Sequence, residues 1–152
     1  MKHACLVVVA VVTGVVGCDR GAHVQEHDLK LLRDRIWIDH MPRSETDKVH
    51  GFAVLSRKQR QPVMGGFFHQ SMWEGHFEGF RYEQTGEELR IVLPQSGDRE
   101  TLTVKPWRCN EGGMDYCLEI TGASRGPTKY YSRRGWEIRS LRELDSKLVT
   151  LK

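Results

Sequence analysis

The sequence predicts an all-β domain, a single antiparallel up-and-down barrel of about eight strands with a short C-terminal helix. Three observations lead there. From Ile36 to Ser132, short apolar runs recur at spacings of about ten residues, bounded by Gly, Pro, Asp and Ser. Each run follows the last through a short connection, which favours a meander. Beyond the last run the period changes, with Ile138, Leu141, Leu144, Leu148 and Leu151 three or four apart, as on one helix face.

Ile36-Trp37-Ile38 is the first strand, stopped by Met41-Pro42, and Arg43 to Lys48 form a polar loop. Val49 to Arg57, carrying Phe52, Val54 and Leu55, is the second. Val63 to Gln70 is the third, with Gly65-Gly66 ahead of Phe67-Phe68. Trp73 to Tyr82, the fourth, alternates clearly. Trp73, Gly75, Phe77 and Gly79 share one face, and Glu74, His76, Glu78, Phe80 and Tyr82 share the other. Glu88 to Leu93 is the fifth, reached through Thr85-Gly86 and ended by Pro94. Thr101 to Val104, extending towards Trp107, is the sixth and follows a Ser96-Gly97-Asp98 turn. Tyr116 to Ile120 and Lys129 to Ser132 are the seventh and eighth, separated by Gly122 to Pro127.

The N-terminus has a different texture. Lys2 and His3 precede an uncharged apolar run from Ala4 to Val16, the n-region and h-region of a secretory signal. That run is shorter than the roughly 20 residues needed to span a bilayer. Val15-Val16-Gly17-Cys18 closes it and resembles the lipobox of bacterial lipoproteins. The resemblance implies cleavage before Cys18, a thioether-linked diacylglycerol on its sulfur, and an acylated amine. The partner so implied is an envelope membrane, held through the lipid, with the protein periplasm-facing or at the surface. Asp19 resembles the residue that retains some lipoproteins at the inner membrane, and inner versus outer stays open. Residues 1–17 then form the signal peptide, 18–33 a polar tether with a helical turn at Asp28 to Arg33, and 34–152 the barrel domain with its helix.

A mature chain of about 135 residues is enough for one domain. Its 22 basic and 20 acidic side chains are interspersed. Ser132-Arg133-Arg134 is too short a basic run to suggest a nucleic-acid track, so no nucleic-acid partner is expected. Cys5 leaves with the signal and Cys18 takes lipid, which leaves Cys109 and Cys117. Gly112-Gly113 lies between them as a turn signal, and two strands joined there bring the sulfurs close in an oxidising compartment. A disulfide is expected. A metal or redox reading of this pair lacks the usual CxxC spacing.

The strand count and order, Trp37 on the first strand and the helix after the last resemble the lipocalin–calycin architecture. In that likeness Trp37 with Arg133 or Arg134 corresponds to the pair closing one end of such barrels. Lipocalins carry Gly-x-Trp where this chain has Arg35-Ile36-Trp37, and the Thr-Asp-Tyr motif is absent.

Three classes of side chain suggest chemistry. His50, His69 and His76 lie on neighbouring predicted strands, and a tight hairpin near Ser71-Met72 would set His69 opposite His76. Imidazoles suit zinc or copper, but His-x-His and His-Glu-x-x-His are absent, so no metal or other cofactor is assigned. The acids Asp39, Glu45 and Asp47 share a loop, and Glu74 and Glu78 share a strand face. Without a nucleophile elbow or phosphate loop they read as surface charge, so no catalytic residue is assigned and no enzyme is expected. Aromatics concentrate in the β region, where they fill a small barrel or line a ligand space. Gly65, Gly66, Gly75 and Gly79 mark sharp bends or room left for something else. The expected function is binding of a small hydrophobic or amphipathic ligand, lined by Trp37, Phe52, Phe67, Trp73 and Phe77. The alternative is a filled barrel that contacts another envelope protein. An enzyme or a metal-binding protein ranks third.

Overall fold

The computed structural model describes residues 26–56, 64–71, 74–140 and 142–149. Its eight strands form one closed antiparallel barrel in chain order: β1 (Arg35–Ile38), β2 (Val49–Val54), β3 (Met64–Gln70), β4 (Gly75–Thr85), β5 (Glu88–Val92), β6 (Arg99–Glu111), β7 (Met114–Thr121) and β8 (Lys129–Ser132). β1 pairs with β8 through Ile38 and Tyr131 and closes the cylinder, which leaves no open sheet edge. A helix, α1 (Arg142–Val149), follows. The expected meander is thus the observed one, although β4 and β6 run further than their apolar cores suggest. Leu141 and Leu151, read as part of the helical face, lie outside the described residues.

The two-residue period of each strand separates an inner face from an outer one. Phe52, Val54, Phe67, Phe80, Tyr82, Leu89, Ile91, Leu102, Val104, Leu118, Ile120 and Tyr130 meet inside. Ring centroids there lie 5.2 Å apart for Phe52–Phe67, 5.4 Å for Phe67–Phe80, and 6.1 Å for Phe52–Tyr130. The protein's own rings therefore occupy the axis at this level. On the outer face Ile36, Ile38, Val49, Ala53 and Phe68 form a second cluster, covered by Ile138 and Leu144 of the C-terminal segment. The helix thus hides an apolar strip of the barrel wall that would otherwise face water.

One end of the barrel is sealed. A 3-10 turn at Leu29–Leu31, N-capped by Asp28, puts Leu31 and Leu32 into the inner core. Trp37 Nε1 donates to the Leu32 carbonyl at 3.0 Å. Residues 28–32, placed in the tether by the sequence reading, thus pack as the plug of the domain. The closing arginine also differs from the lipocalin-like expectation. Arg35 shares the inward face of β1 with Trp37, and its guanidinium lies 4.0 Å from the Tyr116 ring centre and 5.8 Å from Trp37. Arg133 instead stands over Trp136, and Arg134 pairs with Asp115, because β8 stops at Ser132 and the chain turns outward there. A charge two residues before Trp37 fills the place expected of one far downstream.

Cys109 and Cys117 are joined by a disulfide across β6 and β7, beside a register shift between Arg108 and Glu111. The connecting Gly112 and Gly113 both have positive φ, 58° and 76°, as a two-residue hairpin turn demands.

Candidate functional site

The loops after β1, β3, β5 and β7 gather at the end opposite the plug and form the mouth of the barrel. Three imidazoles sit there in one row. His50 on β2 is the register partner of His69 on β3, and His69 is the partner of His76 on β4. They share the face of Phe52, Phe67 and Phe80, so they stand above the aromatic floor on the inner side. Ring centroids are 5.8 Å apart for His50–His69 and 5.0 Å for His69–His76, the latter pair nearly parallel. Burial, followed by the positive charge of Lys48 and the two flanking imidazoles, holds His69 below the ordinary imidazole value of 6.5.

The opposite side of the mouth is closed by one arginine. Arg125, in the loop between β7 and β8, donates through Nε to Glu78 of β4 at 2.5 Å. It also donates through Nη1 to Glu100 of β6, and through Nη2 to Asp98 at 3.2 Å. One side chain thus ties β4 and β6 across the mouth. The hydrogen bond to Glu78 leads the effects that raise the Arg125 pKa. Below, the Tyr130 hydroxyl is buried without a hydrogen-bond partner, and desolvation pushes its pKa well above the usual phenol range.

Between these walls lies a cavity of about 250 Å3, lined by His50, Phe67, His69, His76, Glu78 and Arg125, with Gly51, Phe68 and Gly126. It is smaller than the ~300–1,000 Å3 typical of drug-sized ligand pockets. A compact molecule fits. A long acyl chain does not.

The predicted lining residues are dispersed. Phe67 lines the cavity. Phe52 lies in the packed ring cluster beneath it, and Trp37 is fully buried at the sealed end. Trp73 lies outside the described residues, as does Cys18. Phe77 corrects the expectation. It faces outward, 43% exposed, because Phe80 and Tyr82 occupy the inner face of β4. Its ring covers Gly66 and Gly79, so those glycines make room for a side chain of the protein itself.

The loop acids have structural partners. Asp39 accepts the His50 amide, and Asp47 accepts the Arg43 amide at 2.8 Å. His40 bridges both carboxylates, at 2.9 Å and 3.2 Å. The Arg43 amide, then His40, hold the Asp47 carboxyl below its usual range. Glu45 is exposed, and Glu74 pairs with Lys48 at 3.4 Å. Arg125 and Glu100 were not singled out from sequence. Arg125 precedes Gly126-Pro127 in a polar loop, and only barrel closure reveals that it reaches across to Glu78. Among the described residues, one trio brings potential metal-ligand atoms within 4.8 Å of one another: Cys109, Glu111 and Cys117. Its thiols are spent on the disulfide. No family model, curated protein or solved structure matches the chain.

Proposed function

We propose that this chain is a lipid-anchored bacterial envelope protein, attached through Cys18, that binds a small amphipathic molecule at the mouth of its barrel. The carrying observation is the mouth cavity, with an aromatic floor at Phe67 and polar walls of imidazoles and the Arg125–Glu78 pair. An apolar fragment of the ligand rests on Phe67, and a polar group meets the histidines. The aromatic packing below limits the ligand to the mouth and to modest size. Binding rather than catalysis is favoured because Asp39, Asp47 and Glu78 are all held by structural partners.

Native mass spectrometry of the protein extracted from envelopes in mild detergent tests this. A discrete bound mass is expected in wild type and its loss in Phe67→Ala. Repeated preparations with no bound molecule would overturn the reading.

One observation favours the second reading, contact with another envelope protein. Met64, Arg81, Val92 and Arg99 form one cross-strand row on the outside of β3–β6, and both apolar members are exposed at 38%. An open groove of about 950 Å3 beside them includes Arg33 and Arg90. A photo-crosslinker at position 92 would then give a discrete adduct in envelopes, and its failure to do so would leave the mouth as the functional surface.

A further inference from the structure

The histidine row has a feature that a general amphipathic pocket does not require. Three imidazoles occupy directly paired positions on three adjacent strands and border open space, and all three are at least partly exposed. Each strand provides a firm base, so the register fixes the spacing of the rings within the limits of side-chain rotation. That spacing has chemical meaning. With Zn–N about 2.1 Å and roughly 1.1 Å from nitrogen to ring centre, two imidazoles on one tetrahedral ion have centroids about 5 Å apart. His69–His76 stands at 5.0 Å and His50–His69 at 5.8 Å.

The basic side chains facing the row each have an acidic partner. Lys48 is paired with Glu74, and Arg125 is offset by Glu78, Glu100 and Asp98. The Lys48 charge still reaches His69, with Glu74 acting against it. The three imidazoles do not bring their nitrogens within 4.8 Å of one another, and the His69 and His76 rings are near-parallel, so binding requires rotation about the side-chain torsions. The adjoining cavity leaves room for that movement on the inner side.

We propose that His69 and His76, with His50 as third ligand, bind a divalent transition ion of the zinc–copper class at the barrel mouth. Imidazole nitrogens are common ligands for these ions, while hard cations such as magnesium prefer oxygen. The remaining coordination position opens to the cavity, where a donor atom of a small molecule can complete it. The proposal deepens the reading of the mouth as a binding site and rests on the same cavity.

The test uses the full-length protein in detergent, stripped with chelator and titrated with Zn2+, followed by electron paramagnetic resonance of a stoichiometric Cu2+ adduct. Zn2+ binding is expected to weaken at least ~10-fold in His69→Gln and in His76→Gln, and less in His50→Gln. His40→Gln and His27→Gln, outside the row, should bind as wild type. The Cu2+ spectrum should show coupling to at least two imidazole nitrogens, reduced in His76→Gln. Thermal melting of each variant reports folding. Should His69→Gln fail to fold, the exposed His76 position carries the test.

Zn2+ affinity unchanged in His76→Gln, or no saturable binding in wild type, would overturn the site. An organic molecule retained by a protein that takes up no metal would sink the metal and leave the mouth reading intact. Neither species bound would sink both.

Discussion

At Gly65 and Gly66, adjacent residues of the same strand meet opposite sides of the barrel wall, so a single added methyl has very different consequences. A Cβ at Gly65 would lie 2.5 Å from the buried Phe80 ring and 2.6 Å from the Ala53 carbonyl oxygen. Neither gives way cheaply. A Cβ at Gly66 meets the Phe77 ring at 2.3 Å, which is exposed enough to swing aside, and the Glu78 carbonyl oxygen at 3.3 Å, which needs to give by only a few tenths of an ångström. Gly65→Ala is therefore expected to cost about 1–3 kcal/mol in urea unfolding, and Gly66→Ala less than about 1 kcal/mol. Equal losses would show that Phe77 is pinned. The titration of His69 gives a second test. Its folded pKa is lowered, so below the ordinary value of 6.5 the unfolded chain takes up a proton more readily than the folded one. The resulting stability is full above that value and declines as pH falls through it. In the metal-free protein, NMR should place the His69 midpoint below 6.5, and His50→Gln should move it upward by removing a neighbouring charge. A wild-type midpoint at or above 6.5 would contradict this environment.

At the level of elements, all eight strands were legible because each has its own apolar run between turn residues. The faces were harder to assign. Alternation on β4 separated Phe77 from Phe80 and Tyr82, but aromatics lie on both faces, so pattern alone does not say which face is inner. The neighbouring strand decides it: Gly66, paired with Gly79, leaves an outer hollow that the Phe77 ring covers. His69 opposite His76 was readable from the short hairpin, whereas the Arg125 clamp joins strands far apart in sequence and has no local signature. The β6–β7 hairpin allows a direct test. Its disulfide closes a loop with a sequence separation of 8, for which chain entropy predicts about 2–3 kcal/mol. Cys109→Ser with Cys117→Ala should lower unfolding free energy by that amount and leave far-UV circular dichroism unchanged. Loss of the fold would show that the bulge at Arg108–Glu111 depends on the crosslink.

For the whole molecule, the closed meander explains why most of the architecture followed from sequence. Neighbours in the chain are neighbours in the sheet, and among the described strands β1 with β8 is the one distant pairing. At the sealed end the turn expected at Asp28 to Arg33 is present as Leu29–Leu31, but its packing into the barrel is a distant contact that no local pattern announces. Anchorage belongs to this scale. Cys18→Ala should move the protein from the membrane to the soluble fraction and abolish fatty-acid labelling. Retention at the membrane would remove the lipid-anchor proposal.

The plug also sets a direction. His27 reaches Glu87 at 2.7 Å, and the Asp28 amide bonds the Pro106 carbonyl at 2.9 Å, so the chain enters the domain at its sealed end. A lipid on Cys18, nine residues before His27, would tether the domain from that end. Strands of about seven residues, tilted as in closed barrels, then set the opening roughly 15–20 Å from the sealed end. On the proposed anchorage the barrel is held by its base, and the mouth is the end left free to take solutes from the aqueous compartment.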